Sequence, residues 1–120
     1  MVHSNNRNIG ALGEKIALDC LLYKNYELIM TNYSTRFGEI DLIMRDKERL
    51  VFVEVKTKKG LNWGSPEEMF TRGKYKRVKR MASVYLKGRE VACRIDMVAV
   101  VLDSNNESVS VKHYENVTGL

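Results

Sequence analysis

The chain has 120 residues, 44% of them hydrophobic and 29% charged. That is the make-up of one globular domain with a modest core, not of a disordered, fibrous or membrane-spanning chain. Lys and Arg number 20 against 15 Asp and Glu, and the resulting net charge of +5 suits a polyanionic partner while also serving solubility.

Cys20 and Cys93 each sit in an apolar run, which reads as two buried free thiols in a reducing, cytoplasmic setting. No C-x-x-C spacing exists and His3 and His113 are far apart, so a structural zinc site is not expected. Residues 1–8 are polar and do not resemble a signal peptide. No apolar run is long enough to cross a bilayer, so no membrane partner is expected. The whole of 1–120 reads as a single domain, with 1–7 as a flexible lead-in.

Asn8 is placed to cap a helix over about 9–24. Ile9, Leu12, Ile16 and Cys20 on one side, with Ala17, Leu18 and Leu21 on another, make that helix largely buried. Glu14 shares a face with Leu18 and Leu21, where a bare carboxylate needs a partner. It reads either as a further acid reaching a metal site or as a first-turn Glu favoured by the helix dipole.

Residues 26–33 read as a first strand, and Ser34-Thr35-Arg36-Phe37 as a turn into a central hairpin. That hairpin comprises 38–45 and 50–56, both rich in Ile, Leu, Val and Phe, joined by the charged loop 46–49. A loop there makes paired residue numbers sum to 95, so Arg45 faces Leu50, Asp41 faces Glu54 and Glu39 faces Lys56. Alternation puts Glu39, Asp41, Glu54 and Lys56 on one face, while Ile40, Leu42, Val51, Val53 and Val55 point into a core. Opposed carboxylates destabilise unless a positive charge or a shared proton intervenes. A divalent cation supplies that charge, and hard oxygen donors suit Mg²⁺ or Mn²⁺. The bland alternative is a solvated hairpin face laced with Glu–Lys pairs.

Residues 57–64 read as a basic loop in which Lys58 and Lys59 could touch phosphate and Trp63 could stack on a base, or simply cover the core edge. Ser65-Pro66-Glu67-Glu68 is a helix start. A break is expected near Gly73, then a longer helix to about Lys87, closed by Gly88. Tyr75, Val78, Ala82 and Tyr85 form its core stripe; Lys74, Lys76, Arg77 and Arg80 belong to a dense basic face fit for phosphate. Residues 89–102 are a strong strand, on which Arg94 and Asp96 share a face and either pair with each other or support the site. Residues 108–114 make a last, possible edge strand, with Lys112 and His113 as guards against mispairing.

The order helix, strand meander, helix, strand, with D-x(12)-E-x-K on the hairpin, resembles the PD-(D/E)xK nuclease superfamily. It looks most like the YraN-type proteins of the UPF0102 family, relatives of archaeal Holliday-junction resolvases. The residues that carry the resemblance are Gly13-Glu14 with Ala17, Asn32, Gly38-Glu39-Ile40-Asp41, Phe52-Val53-Glu54-Val55-Lys56, Gly64 with Pro66, Lys74, Ala82 with Tyr85-Leu86, and Arg94 with Asp96. The resemblance implies an α/β, restriction-endonuclease-like core: a mixed sheet of about five strands flanked by helices in the order αβββαβ, plus a final strand. It implies Asp41, Glu54, the Val55 carbonyl and Glu14 as metal ligands, Lys56 as the residue that orients or activates the attacking water or stabilises developing charge, and Glu39 in a supporting role. It departs from the family where Thr57-Lys58 stands in place of a frequent Arg, and Lys meets phosphate as a point charge rather than bidentately.

The leading expectation is a Mg²⁺-dependent DNA endonuclease acting on branched or damaged DNA, with a twofold homodimer if two strands are cut. The alternatives are a nucleic-acid-binding protein of nuclease fold with little activity of its own, and an interaction module whose basic helix binds an acidic protein.

Overall fold

In the computed structural model, residues 2–60 and 70–117 are described, with side chains from residue 8 onward. The elements are α1 (Val2–Tyr23), β1 (Glu27–Thr35), β2 (Gly38–Asp46), β3 (Arg49–Lys59), α2 (Arg72–Leu86), β4 (Cys93–Leu102) and β5 (Ser108–Tyr114). One five-stranded sheet runs β1-β2-β3-β4-β5. It is mixed: β3 and β4 are parallel, joined by the crossover that contains α2, and the other neighbours are antiparallel. The α/β class, the mixed sheet and the element order are those expected. Among the described residues no helix is long and apolar enough to cross a membrane.

The central strands are buried on both faces, so they read as near-continuous apolar runs. On one face Leu42, Met44, Val51, Val53, Val98 and Val100 pack with Ala17 and Leu21 of α1. On the other, Ile43, Leu50, Phe52, Ile95 and Met97 pack with Val78, Met81 and Ala82 of α2, and Phe70 closes that layer. Two thin cores therefore replace the single core expected from the sequence.

The hairpin register is the expected one, with Arg45 opposite Leu50 and Leu42 opposite Val53. The turn is tighter than four residues: Asp46 still pairs with Arg49, and Lys47 adopts φ 59° to make the reversal. The β2–β3 ladder ends at Leu42–Val53. Beyond it the strands part and Ile40 joins the α2-side core, not the α1-side core that alternation with Leu42 predicts.

Other boundaries move for identifiable reasons. α1 begins at Val2, so Asn8 lies inside it rather than capping it; nothing in 2–8 breaks a helix. β3 continues to Lys59 instead of yielding to a loop at 57, because β4 pairs with it through Lys59 opposite Leu102. α2 is capped at its start by Thr71, whose hydroxyl accepts from the Lys74 N–H at 3.3 Å, and at its end by Lys87 in the left-handed region. The expected helix start at Ser65-Pro66, with Trp63, lies outside the described residues. Cys20 is half-buried and Cys93 exposed, both as free thiols, so neither is the buried thiol expected.

Gly13 fixes how α1 meets the sheet. A Cβ at this position would lie 1.8 Å from Thr57 Oγ1. The helix backbone thus seats against the Thr57 side chain as closely as only glycine allows, and the next residue, Glu14, is set over the ends of β2 and β3.

Candidate metal and nucleic-acid site

Where β2 and β3 part, the side chain of Asp41 replaces the missing backbone partner. Its Oδ2 accepts the Val55 N–H at 2.7 Å. That bond points Asp41 toward β3, where it also makes a hydrogen bond with the Glu54 carboxyl. The opposed acids expected from the register do meet. Burial, then the Glu54 charge, push the Asp41 carboxyl up to about 8, so at neutral pH the pair holds a proton between them.

Glu14 and Glu39 complete the acidic group. Carboxylate oxygens of Glu14, Glu39 and Asp41 all lie within 4.8 Å of one another. Asn32 joins two of them: its Nδ2 donates to Glu14 Oε1 at 3.0 Å and to Glu39 Oε1 at 3.2 Å. Ser34 Oγ adds a bond to Glu39 Oε2 at 3.1 Å. The Glu14 carboxyl is raised above its ordinary value, mainly by burial; the bond from Asn32 opposes this, and Asp41 and Glu39 add to it. Glu14 therefore reaches the site rather than merely decorating the helix start. Glu39 takes a place in the cluster itself.

Asn32, one of the residues that carry the resemblance, was given no role in the site by reasoning from sequence. It lies between the Thr31–Leu42 and Tyr33–Ile40 pairs, and so opposite Asp41. A two-residue turn at Arg36-Phe37 would have disclosed that register. Asn32 adopts φ 52°, a left-handed conformation that Asn tolerates better than most residues. Asn32→Gly keeps that backbone and removes the bridge. We expect a loss of about tenfold in divalent-cation affinity, of the size seen when a ligand loses its orienting partner, with little change in thermal stability; calorimetric titration checks this.

Lys56 lines an open cleft of about 310 Å³ with Glu14, Val55 and Thr57. Lys74 of α2, expected on the phosphate-facing side, lies beside Lys56 and near Glu54. Burial, then the Lys56 amine, bring Lys74 down to about 8. Acids and lysines thus form adjoining halves of one site, fed by α1, β1, β2, β3 and α2. Lys76, Arg77 and Arg80 lie exposed along α2, and Lys58 and Lys59 extend β3 past Lys56. Trp63 is not among the described residues.

Arg94 and Asp96 are not part of this site. Asp96 is fully buried and binds Arg94 Nε at 2.9 Å, His113 Nε2 at 2.7 Å and the Asn116 N–H at 2.9 Å. Arg94 also meets Asp46, beside the 47–48 turn, at 3.1 Å, together with Tyr26 and Glu115. His113 is a member of this buried network, its side chain 1% exposed, and not the edge guard expected. Lys24 Nζ lies 2.9 Å from His113 Nδ1; a donating ammonium there leaves Nε2–H to donate to Asp96.

The model of the uncharacterised protein family UPF0102 matches residues 13–100, a span that contains every member of the acidic cluster and both lysines. A UPF0102 protein of Clostridium botulinum (strain Loch Maree / Type A3) is 35% identical over 119 residues, covering 96% of this chain and 97% of its own. One from Dictyoglomus turgidum is 34% identical over 115 residues, covering 93% and 98%. Matched end to end by such relatives and by the family model across the site, this chain belongs to the UPF0102 family.

Proposed function

We propose that the protein is a divalent-metal-dependent endodeoxyribonuclease of the PD-(D/E)xK type, related to the Holliday-junction resolvases and working on cytoplasmic DNA. The observation that carries this reading is the Asp41–Glu54 pair, protonated when alone, set between two further carboxylates and a lysine pair. A cluster that must hold a proton to be tolerated is one that a cation can relieve. The donors are hard oxygens, which fits Mg²⁺ or Mn²⁺ and not zinc.

Asp41, Glu54 and Glu14 would hold the ion, with Glu39 alongside and the Val55 carbonyl as a further ligand. Once bound, the ion supplies charge neutralisation at the phosphoryl group and a more acidic water. The chain's own residues supply the rest. Asn32 and Ser34 hold Glu14 and Glu39 in place. Lys56 positions the water and opposes the charge that develops on phosphate, while Lys74, lowered to about 8 and still mostly charged at neutral pH, adds positive charge beside it. Lys76, Arg77, Arg80, Lys58 and Lys59 hold the phosphate backbone, giving salt-dependent affinity without sequence preference.

The test is cleavage of labelled duplex, flap, four-way junction and single-stranded DNA with Mg²⁺ or Mn²⁺. Wild type should cut at least one substrate only when metal is present, and Asp41→Ala and Lys56→Ala should each lose about a hundredfold or more in rate. DNA binding without cleavage, equal in all three proteins, would favour a binding protein of nuclease fold instead. A junction preference would also call for a homodimer, read from sedimentation.

A further inference from the structure

The turn between β1 and β2 presents an aromatic ring where hairpin tips are ordinarily polar. Phe37 is 38% exposed and belongs to neither core. Its ring carries two guanidinium groups, Arg36 at 5.1 Å and Arg80 of α2 at 5.7 Å from the centroid. The turn is braced from below: Gly38 adopts φ +139°, and a Cβ there would meet Arg77 Cδ at 3.2 Å and Met81 Sδ at 3.4 Å. Phe37, Gly73, Lys76, Arg77 and Arg80 line a shallow pocket of about 270 Å³. One strand turn and one helix face thus build a single basic surface around one exposed ring.

Resting on the nuclease reading above, we infer that this tip is a binding site for an unpaired nucleobase of the DNA strand held at the acidic cluster. Cations alone would satisfy a duplex backbone, which offers no base face. A rigid aromatic flanked by guanidinium planes offers a stacking column, and only a base out of its helix can join it. The spacing agrees. Phe37 sits in the turn just before Gly38 opens β2, and from Gly38 to Asp41 is three residue steps of strand, roughly 10 Å, or about three stacked base steps. On this proposal a base captured at the tip belongs to the same strand segment as the phosphate at Asp41. Substrates with bulged, flapped or junction bases a few steps from the cut are favoured over matched duplex.

The experiment compares wild type, Phe37→Ala and Phe37→Trp with two probes, a matched 20-mer duplex and the same duplex carrying a bulge that includes 2-aminopurine. In EDTA, which stops cleavage, wild type should bind the bulged probe more tightly and change its 2-aminopurine fluorescence. Phe37→Ala should weaken bulge binding about fivefold or more, lose the fluorescence change, and keep duplex affinity and salt slope within twofold. Phe37→Trp should retain both bulge signals. If Phe37→Ala binds the bulged probe as wild type does, the base site is wrong and the nuclease reading stands. If wild type binds neither probe at any salt concentration, both fall.

Discussion

Asp96→Ala is expected to cost about 3–5 kcal/mol of folding stability, enough to take a large share of what a domain of this size possesses. Asp96 is wholly buried and accepts from Arg94, His113 and the Asn116 N–H. Its loss leaves an Arg side chain only 8% exposed with no acceptor on that side, and orphans a backbone N–H as well. The network ties Tyr26 after α1, Asp46 at the end of β2, β4, β5 and Glu115. The damage should therefore spread across the sheet rather than stay local. Burial opposes ionisation of Asp96, but bonds from His113 and Arg94 outweigh it and hold its carboxyl below the usual value. Its contribution is present above the ordinary carboxylate range and disappears as pH falls through the lowered value. Urea denaturation at pH 7 checks the magnitude; a loss under 1 kcal/mol would mean that the network is incidental.

Asp41→Asn should do the opposite and stabilise the metal-free protein at pH 8. The folded Asp41 carboxyl is raised from 3.8 to about 8, so the folded state binds more protons than the unfolded state between those values. Stability of wild type then falls as pH rises from about 4 to about 8. Asn carries no such titration. Since Glu54 shares the burden and the site is partly open to solvent, we expect a gain of roughly 1–3 kcal/mol for the variant at pH 8 and little gain at pH 4–5. Excess Mg²⁺ should restore wild type at pH 8 and stabilise Asp41→Asn less. Parallel pH curves for the two proteins would show that Asp41 and Glu54 are not strained against each other.

The contrast between these two aspartates shows what was legible in the sequence. The Asp41–Glu54 register followed from strand periodicity and a turn between residues 45 and 50, both local features. The pairing of Arg94 with Asp96, two apart on one strand, was equally local. What was left open or escaped was set by contacts distant in sequence. Glu14 reaches the acids because Gly13 lets α1 close on Thr57, a contact across 44 positions (57 minus 13). Lys74 meets Lys56 only because the α2 crossover returns over β3. His113 looked like an edge residue because nothing near it in sequence discloses the buried carboxylate it serves. The reversal of Ile40 could not come from alternation, since it arises where the ladder stops and a side chain takes over from the backbone. Asn32 and Phe37 both depended on the β1–β2 turn being only two residues long.

The most direct measurement is titration of Mn²⁺ against the protein at pH 8, followed by the paramagnetic resonance signal of the free ion. Wild type should remove the free signal, Mg²⁺ should return it by competition, and Asp41→Asn and Glu54→Gln should each bind at least about tenfold more weakly. If the free signal is the same with wild type, with either variant and with no protein, the carboxylates at the parting of β2 and β3 are not a metal site.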